Sequence, residues 1–145
     1  MQIKAKWQGG RAFEAVGPTG YKMNMDATAN YGGEGKAPTP TEMLLASLAG
    51  CIGIDVTMIL KPHLELIQDI EITVDGERRE DLPTSFTAAV ITFKIDGDIT
   101  PKKVWRAINL GEEKYCAVSA SLKAEISYKL ILNGEEIPEI SKGEN

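Results

Sequence analysis

A chain of 145 residues suits one domain, or one subunit of a compact oligomer. Hydrophobic residues make up 43% and charged residues 26%, and 14 glycines with 7 prolines are too few for a collagen-like or low-complexity chain. Lys and Arg number 16 against 21 Asp and Glu, so the net charge is −5, which argues against a phosphate-gripping, nucleic-acid-binding surface.

The chain opens with Ile3, Ala5 and Trp7 alternating with Gln2, Lys4 and Lys6, the period of a half-buried strand. This stretch has no apolar signal core, so a cytoplasmic protein is expected. Gly9-Gly10 turns the chain, Phe13 and Ala15 alternate, Gly17-Pro18-Thr19-Gly20 turns it again, and Tyr21, Met23 and Met25 form a third run. A small antiparallel meander is predicted. Residues 27–37 form a loop containing Tyr31-Gly32-Gly33-Glu34-Gly35-Lys36. A phosphate-binding loop is excluded there, because Ala37 has no hydroxyl and Asn30 stands where the first glycine is needed.

Thr39-Pro40-Thr41-Glu42 then opens a helix, with Thr39 as N-cap, Pro40 in the first helical position and Glu42 closing a capping box. From Met43 to Leu60, 13 of 18 residues are hydrophobic. The length approaches a membrane span, but Asp55 sits inside it and Gly50 and Gly53 interrupt it. A helix apolar on every side must be buried on every side. A chain this short wraps such a helix poorly, so the core is expected to be shared with a partner subunit.

Strand patterns return at Ile70, Ile72 and Val74, and again from Phe86 to Ile95. Thr100-Pro101 opens a second helix carrying Val104, Trp105 and Ile108, with Cys116 at or just beyond its end. Ala124, Ile126, Tyr128, Leu130 and Leu132 alternate as a last long strand, and Asn133-Gly134 turns the chain. The order strands, helix, strands, helix, strand is that of an α+β fold. One domain spanning residues 1–145 is expected.

Two cysteines, Cys51 and Cys116, are candidates for chemistry, and in a reducing compartment they are either packing residues or redox groups. Two Cys and the single His63, without paired spacing, do not make an ordinary four-ligand zinc site, so no metal is expected. Asp55 follows Cys51 by one helical turn on the same face. A nucleophilic Cys51 must ionise, and both burial and a nearby carboxylate oppose this, so a cation is required. Of the four arginines, Arg11, after the Gly9-Gly10 turn, is the first choice, and an exposed turn residue is the equal alternative. Glu42 is either the carboxylate that orients this arginine or simply the cap. Leu44, Leu48, Ile52 and Met58, within two turns of Cys51, are candidates for an apolar substrate surface.

Pro40-Thr41-Glu42-Met43-Leu44-Leu45-Ala46-Ser47-Leu48-Ala49-Gly50-Cys51, followed by Glu113-Lys114-Tyr115-Cys116-Ala117-Val118, resembles the OsmC/Ohr family of osmotically induced and organic hydroperoxide resistance proteins. The Ile54-Asp55-Val56 segment is similar to the OsmC-like branch. The resemblance implies an intertwined homodimer, with two long central helices buried between curved antiparallel sheets and active sites at the subunit interface. It implies a thiol peroxidase in which Cys51 attacks an organic hydroperoxide, Cys116 resolves the sulfenic acid as a disulfide, and a dithiol or lipoyl-type reductant restores both thiols, without metal or flavin. Arg11 and Glu42 would assist Cys51. The well-studied peroxidases carry Asn-Pro-Glu before this helix, with the Glu ten residues before the Cys. Here Thr41 holds that place and Glu42 lies one residue later, a rotation of about 100° on a helix. That departure supports the alternative, a non-catalytic redox-sensing or hydrophobic-ligand-binding dimer.

Overall fold

The computed structural model describes residues 1–140, and the chain divides into two compact units, Met1–Leu44 and the remainder from Leu45. In the first unit β1 (Lys4–Trp7), β2 (Phe13–Val16) and β3 (Lys22–Met25) form the expected antiparallel meander in the order β1-β2-β3. Each strand has four residues. Sheets this short cover little surface, and only Ala15 and Asp26 of this unit are buried, while Trp7 and Tyr21 stand exposed. Asp26 organises the loop that follows. Its Oδ1 accepts the Ala27 N–H (2.7 Å) and its Oδ2 accepts those of Glu34 and Lys36 (3.2 Å each). These bonds, that of Lys36 foremost, hold the Asp26 carboxyl below its ordinary range. The N–H groups that an anion would seek in this loop are therefore engaged by a carboxylate.

α1 (Pro40–Ile59) begins as the sequence predicts. The Thr39 N–H donates to Glu42 Oε2 (2.7 Å) and the Glu42 N–H donates to Thr39 Oγ1 (3.3 Å), a reciprocal capping box. The second unit holds the rest of α1, then β4 (Ile67–Arg78), β5 (Phe86–Gly97), α2 (Pro101–Leu110), α3 (Ala117–Ser121), β6 (Glu125–Leu132) and β7 (Glu135–Ile137). The sheet order is β4-β5-β6-β7.

Pairing departs from the all-antiparallel expectation at one place: β5 and β6 run parallel. Their connection is the long segment carrying α2 and α3, and a crossover of that length returns the chain in the same direction. β7 was not foreseen. It forms because Asn133 and Gly134 both adopt positive φ (51° and 84°), the geometry of a two-residue hairpin, and β7 then pairs with β6.

The core gathers Leu48, Ile52 and Val56 of the α1 stripe with Leu60 just after it, Ile91, Phe93 and Ile95 of β5, Val104, Trp105 and Ile108 of α2, and Leu130 and Leu132 of β6. Gly53 lets α1 approach β4 closely, since a Cβ there would lie 2.8 Å from Ile72 Cδ1. Burial on every side of α1 is not met within one chain: Ile54 is 62% and Met58 69% exposed. One sheet and one helix cover one stripe only. By length and composition α1 alone among the described residues could cross a membrane, with a mean hydropathy of 1.6, yet its buried stripe is the centre of this core.

Candidate functional site

Cys51 sits mid-helix in α1 and is partly buried, whereas Cys116 is buried. α2 ends in a wider, π-type turn (Gly111–Tyr115) that runs to Cys116, which caps α3. Gly111 begins that turn against α1: a Cβ there would lie 3.0 Å from Ile52 Cδ1 and 3.6 Å from Asp55 Cβ. The close approach delivers Cys116 to the face of α1 that carries Cys51 and Asp55. The two sulfurs and a carboxylate oxygen of Asp55 all lie within 4.8 Å of one another. Cysteines 65 residues apart in sequence thus share one site.

Burial pushes the Cys51 thiol above its ordinary range, and Cys116 and Asp55 push the same way. The Val118 backbone N–H opposes them by stabilising the thiolate. The neighbouring Ser119 N–H donates to Cys116 Sγ (3.5 Å), and the Ser119 hydroxyl donates to the Cys116 carbonyl (3.0 Å). The start of α3 therefore presents one N–H to each sulfur. Tyr128 of β6 completes the surroundings. Its phenol oxygen is buried without a hydrogen-bond partner, and burial, then Glu112 and Cys116, keep the phenol protonated, with Ser119 acting the other way. One oxygen of Asp55, Oδ2, is likewise buried and unpartnered.

The other two sequence candidates lie in the first unit. Arg11 is exposed beside Gly32, its Nε 3.4 Å from where a Gly32 Cβ would stand. The carboxylate of Glu42 is engaged at the helix cap. Of the apolar residues expected to line a substrate surface, Leu48 and Ile52 belong to the core and are 0% exposed, because the stripe that carries them faces the sheet. Leu44 and Met58 remain open. Asp55 had a visible signal, its four-residue spacing from Cys51. Val118, Ser119 and Tyr128 had none, since they reach the site only through the crossover.

A model of the OsmC-like protein family matches residues 33–131. The chain is 35% identical over 128 residues to Protein YhfA of Escherichia coli K12, covering 88% of this chain and 92% of that protein. Among solved structures, a hypothetical protein from Aquifex aeolicus VF5 is similar with a TM-score of 0.73 and 29% identity, over 90% of this chain and 96% of that one. A protein from Legionella pneumophila described as an organic hydroperoxide resistance protein OsmC shares the fold with a TM-score of 0.61 and 18% identity, over 91% of this chain and 96% of that one.

Proposed function

The chain belongs to the OsmC-like protein family, and from that premise we propose that it is a cytoplasmic, homodimeric thiol peroxidase acting on organic hydroperoxides. The observation that carries the reading is the approach of Cys51 and Cys116 Sγ to within 4.8 Å. Partial exposure of Cys51 supports its role as the attacking group, and burial of Cys116 supports its role as the resolving one. The Cys51 thiolate, stabilised by the Val118 N–H, attacks the O–O bond of ROOH. A sulfenic acid forms and RO⁻ departs, taking a proton to become the alcohol. The Cys116 thiol then displaces water from the sulfenic acid, and a disulfide forms. A disulfide needs about 2 Å between sulfurs, so the side chains rotate together at this step. A dithiol reduces it by exchange, leaving as its own disulfide. The exposed Ile54 and Met58 of α1 support the dimer.

The decisive measurement is free-thiol titration before and after one equivalent of cumene hydroperoxide. Loss of two thiols per chain, restored by a dithiol, is the expected result. The raised Cys51 thiol and the carboxylate beside it favour a second reading, a non-catalytic redox-sensing or hydrophobic-ligand-binding dimer; loss of neither thiol would overturn the peroxidase and favour the ligand-binding form.

A further inference from the structure

Cys51, Cys116 and Asp55 bring two sulfurs and a carboxylate oxygen within 4.8 Å of one another. A tetrahedral zinc site with ordinary Zn–S and Zn–O bonds puts its ligand atoms about 3.6–3.8 Å apart. The three groups therefore need only small side-chain rotations to share one ion. The second observation is Asp55 Oδ2, buried and without a hydrogen-bond partner. A buried carboxylate oxygen with no protein partner is commonly satisfied by an ion or a water. The donor set is soft, thiolate-rich and anionic, which selects a thiophilic divalent cation over magnesium or calcium. Sequence spacing had argued against an ordinary four-ligand site, and His63 is not part of this cluster. The fold supplies three ligands from α1 and the α3 cap, the number that leaves one position open to water.

We propose that the reduced protein binds one zinc-class cation through Cys51, Cys116 and Asp55, with water as the fourth ligand. Binding replaces two thiol protons: M²⁺ joins two thiols and one carboxylate, and two H⁺ leave. A two-electron thiol oxidant, such as a hydroperoxide reduced to alcohol and water or a diazene reduced to its hydrazine, joins the sulfurs as a disulfide; both thiolate ligands are then lost and the ion leaves, and a dithiol, ending as its own disulfide, restores the site.

The test titrates the reduced full-length protein, without oxygen and without peroxide, with Co²⁺ as a spectroscopic probe and then with Zn²⁺ as competitor. Expected are one equivalent per chain, thiolate-to-cobalt charge-transfer absorption, tetrahedral visible bands and displacement by Zn²⁺. Cys51→Ser and Cys116→Ser should each weaken binding by about tenfold or more, as should Asp55→Asn. Wild-type protein oxidised to the disulfide with diamide, a diazene oxidant that needs no peroxidase activity, should bind nothing, an arm that needs no substitution and so is independent of whether a variant folds. Absence of charge-transfer absorption, binding that survives oxidation, or Asp55→Asn binding as tightly as wild type would overturn the site. No peroxide enters the titration, so a failure here leaves the peroxidase reading standing, and a failed thiol titration with hydroperoxide leaves this one standing.

Discussion

The chemistry depends on which sulfur meets the oxidant first. Cys51 is partly open and Cys116 is 3% exposed, and the proposed order of reaction rests on that difference in access. Cys51→Ser should abolish hydroperoxide consumption. Cys116→Ser should leave the first oxidation intact but strand Cys51 as sulfenic and, under excess peroxide, sulfinic acid. Mass spectrometry of each variant after peroxide reads this directly, and sulfinic acid on Cys116 in the Cys51→Ser protein would reverse the roles. A second residue-scale expectation concerns Asp26. Three backbone N–H groups hold its carboxyl below the ordinary value, so it is a depressed acid. Its contribution to stability is then full above the unfolded carboxyl value of about 4 and fades as pH falls through the lower folded value. Thermal melting of wild type and Asp26→Asn should differ at neutral pH and converge in acid. A gap unchanged down to pH 2 would mean that the N–H groups do not favour the charged form.

At the scale of elements, the end of the β5–β6 ladder rests on one side chain. Asn133 Oδ1 accepts the Gly97 N–H and Asn133 Nδ2 donates to the Gly97 carbonyl, both at 2.9 Å, while φ at Asn133 is 51°. Asn133→Ala loses both bonds and places a less tolerant residue in the left-handed region, at a cost of about 1–3 kcal/mol. Asn133→Gly restores the backbone freedom but not the bonds. Denaturant unfolding should therefore rank wild type above both variants, and a Gly variant as stable as wild type would assign the whole effect to the turn. Gly111 acts on the same scale with a different end: by letting the π-type turn approach Ile52 and Asp55, it sets where Cys116 arrives.

For the whole molecule, the outstanding physical fact is apolar surface that one chain does not cover. Ile54 and Met58 project from α1 at 62% and 69% exposure, and Trp7 of β1 at 62%. The proposed homodimer covers the α1 face. Ile54→Glu and Met58→Glu touch little inside the chain, so a single chain would tolerate both. Together they should convert a species of twice the chain mass in multi-angle light scattering to one of the chain mass. A wild-type monomer at low micromolar concentration, or a double variant still dimeric, would rule out this face as the interface.

Much of this was present in the residue pattern. The meander, the capped α1, the long strands and the second Thr-Pro helix all follow from local periodicity and turn chemistry, which act over a few residues. The family resemblance was carried by the segments around Cys51 and Cys116, and the partnership of Asp55 with Cys51 by one helical turn. What local pattern does not hold is anything that depends on a crossover. The parallel β5–β6 pair, the turn that Gly111 seats against α1, the N–H groups of Val118 and Ser119 on the sulfurs, and Tyr128 beside them come from segments separated by scores of residues in the chain. Only the packing of α2, the π-type turn and β6 against α1 brings those segments to one point, and with them two thiols and a carboxylate close enough to act together.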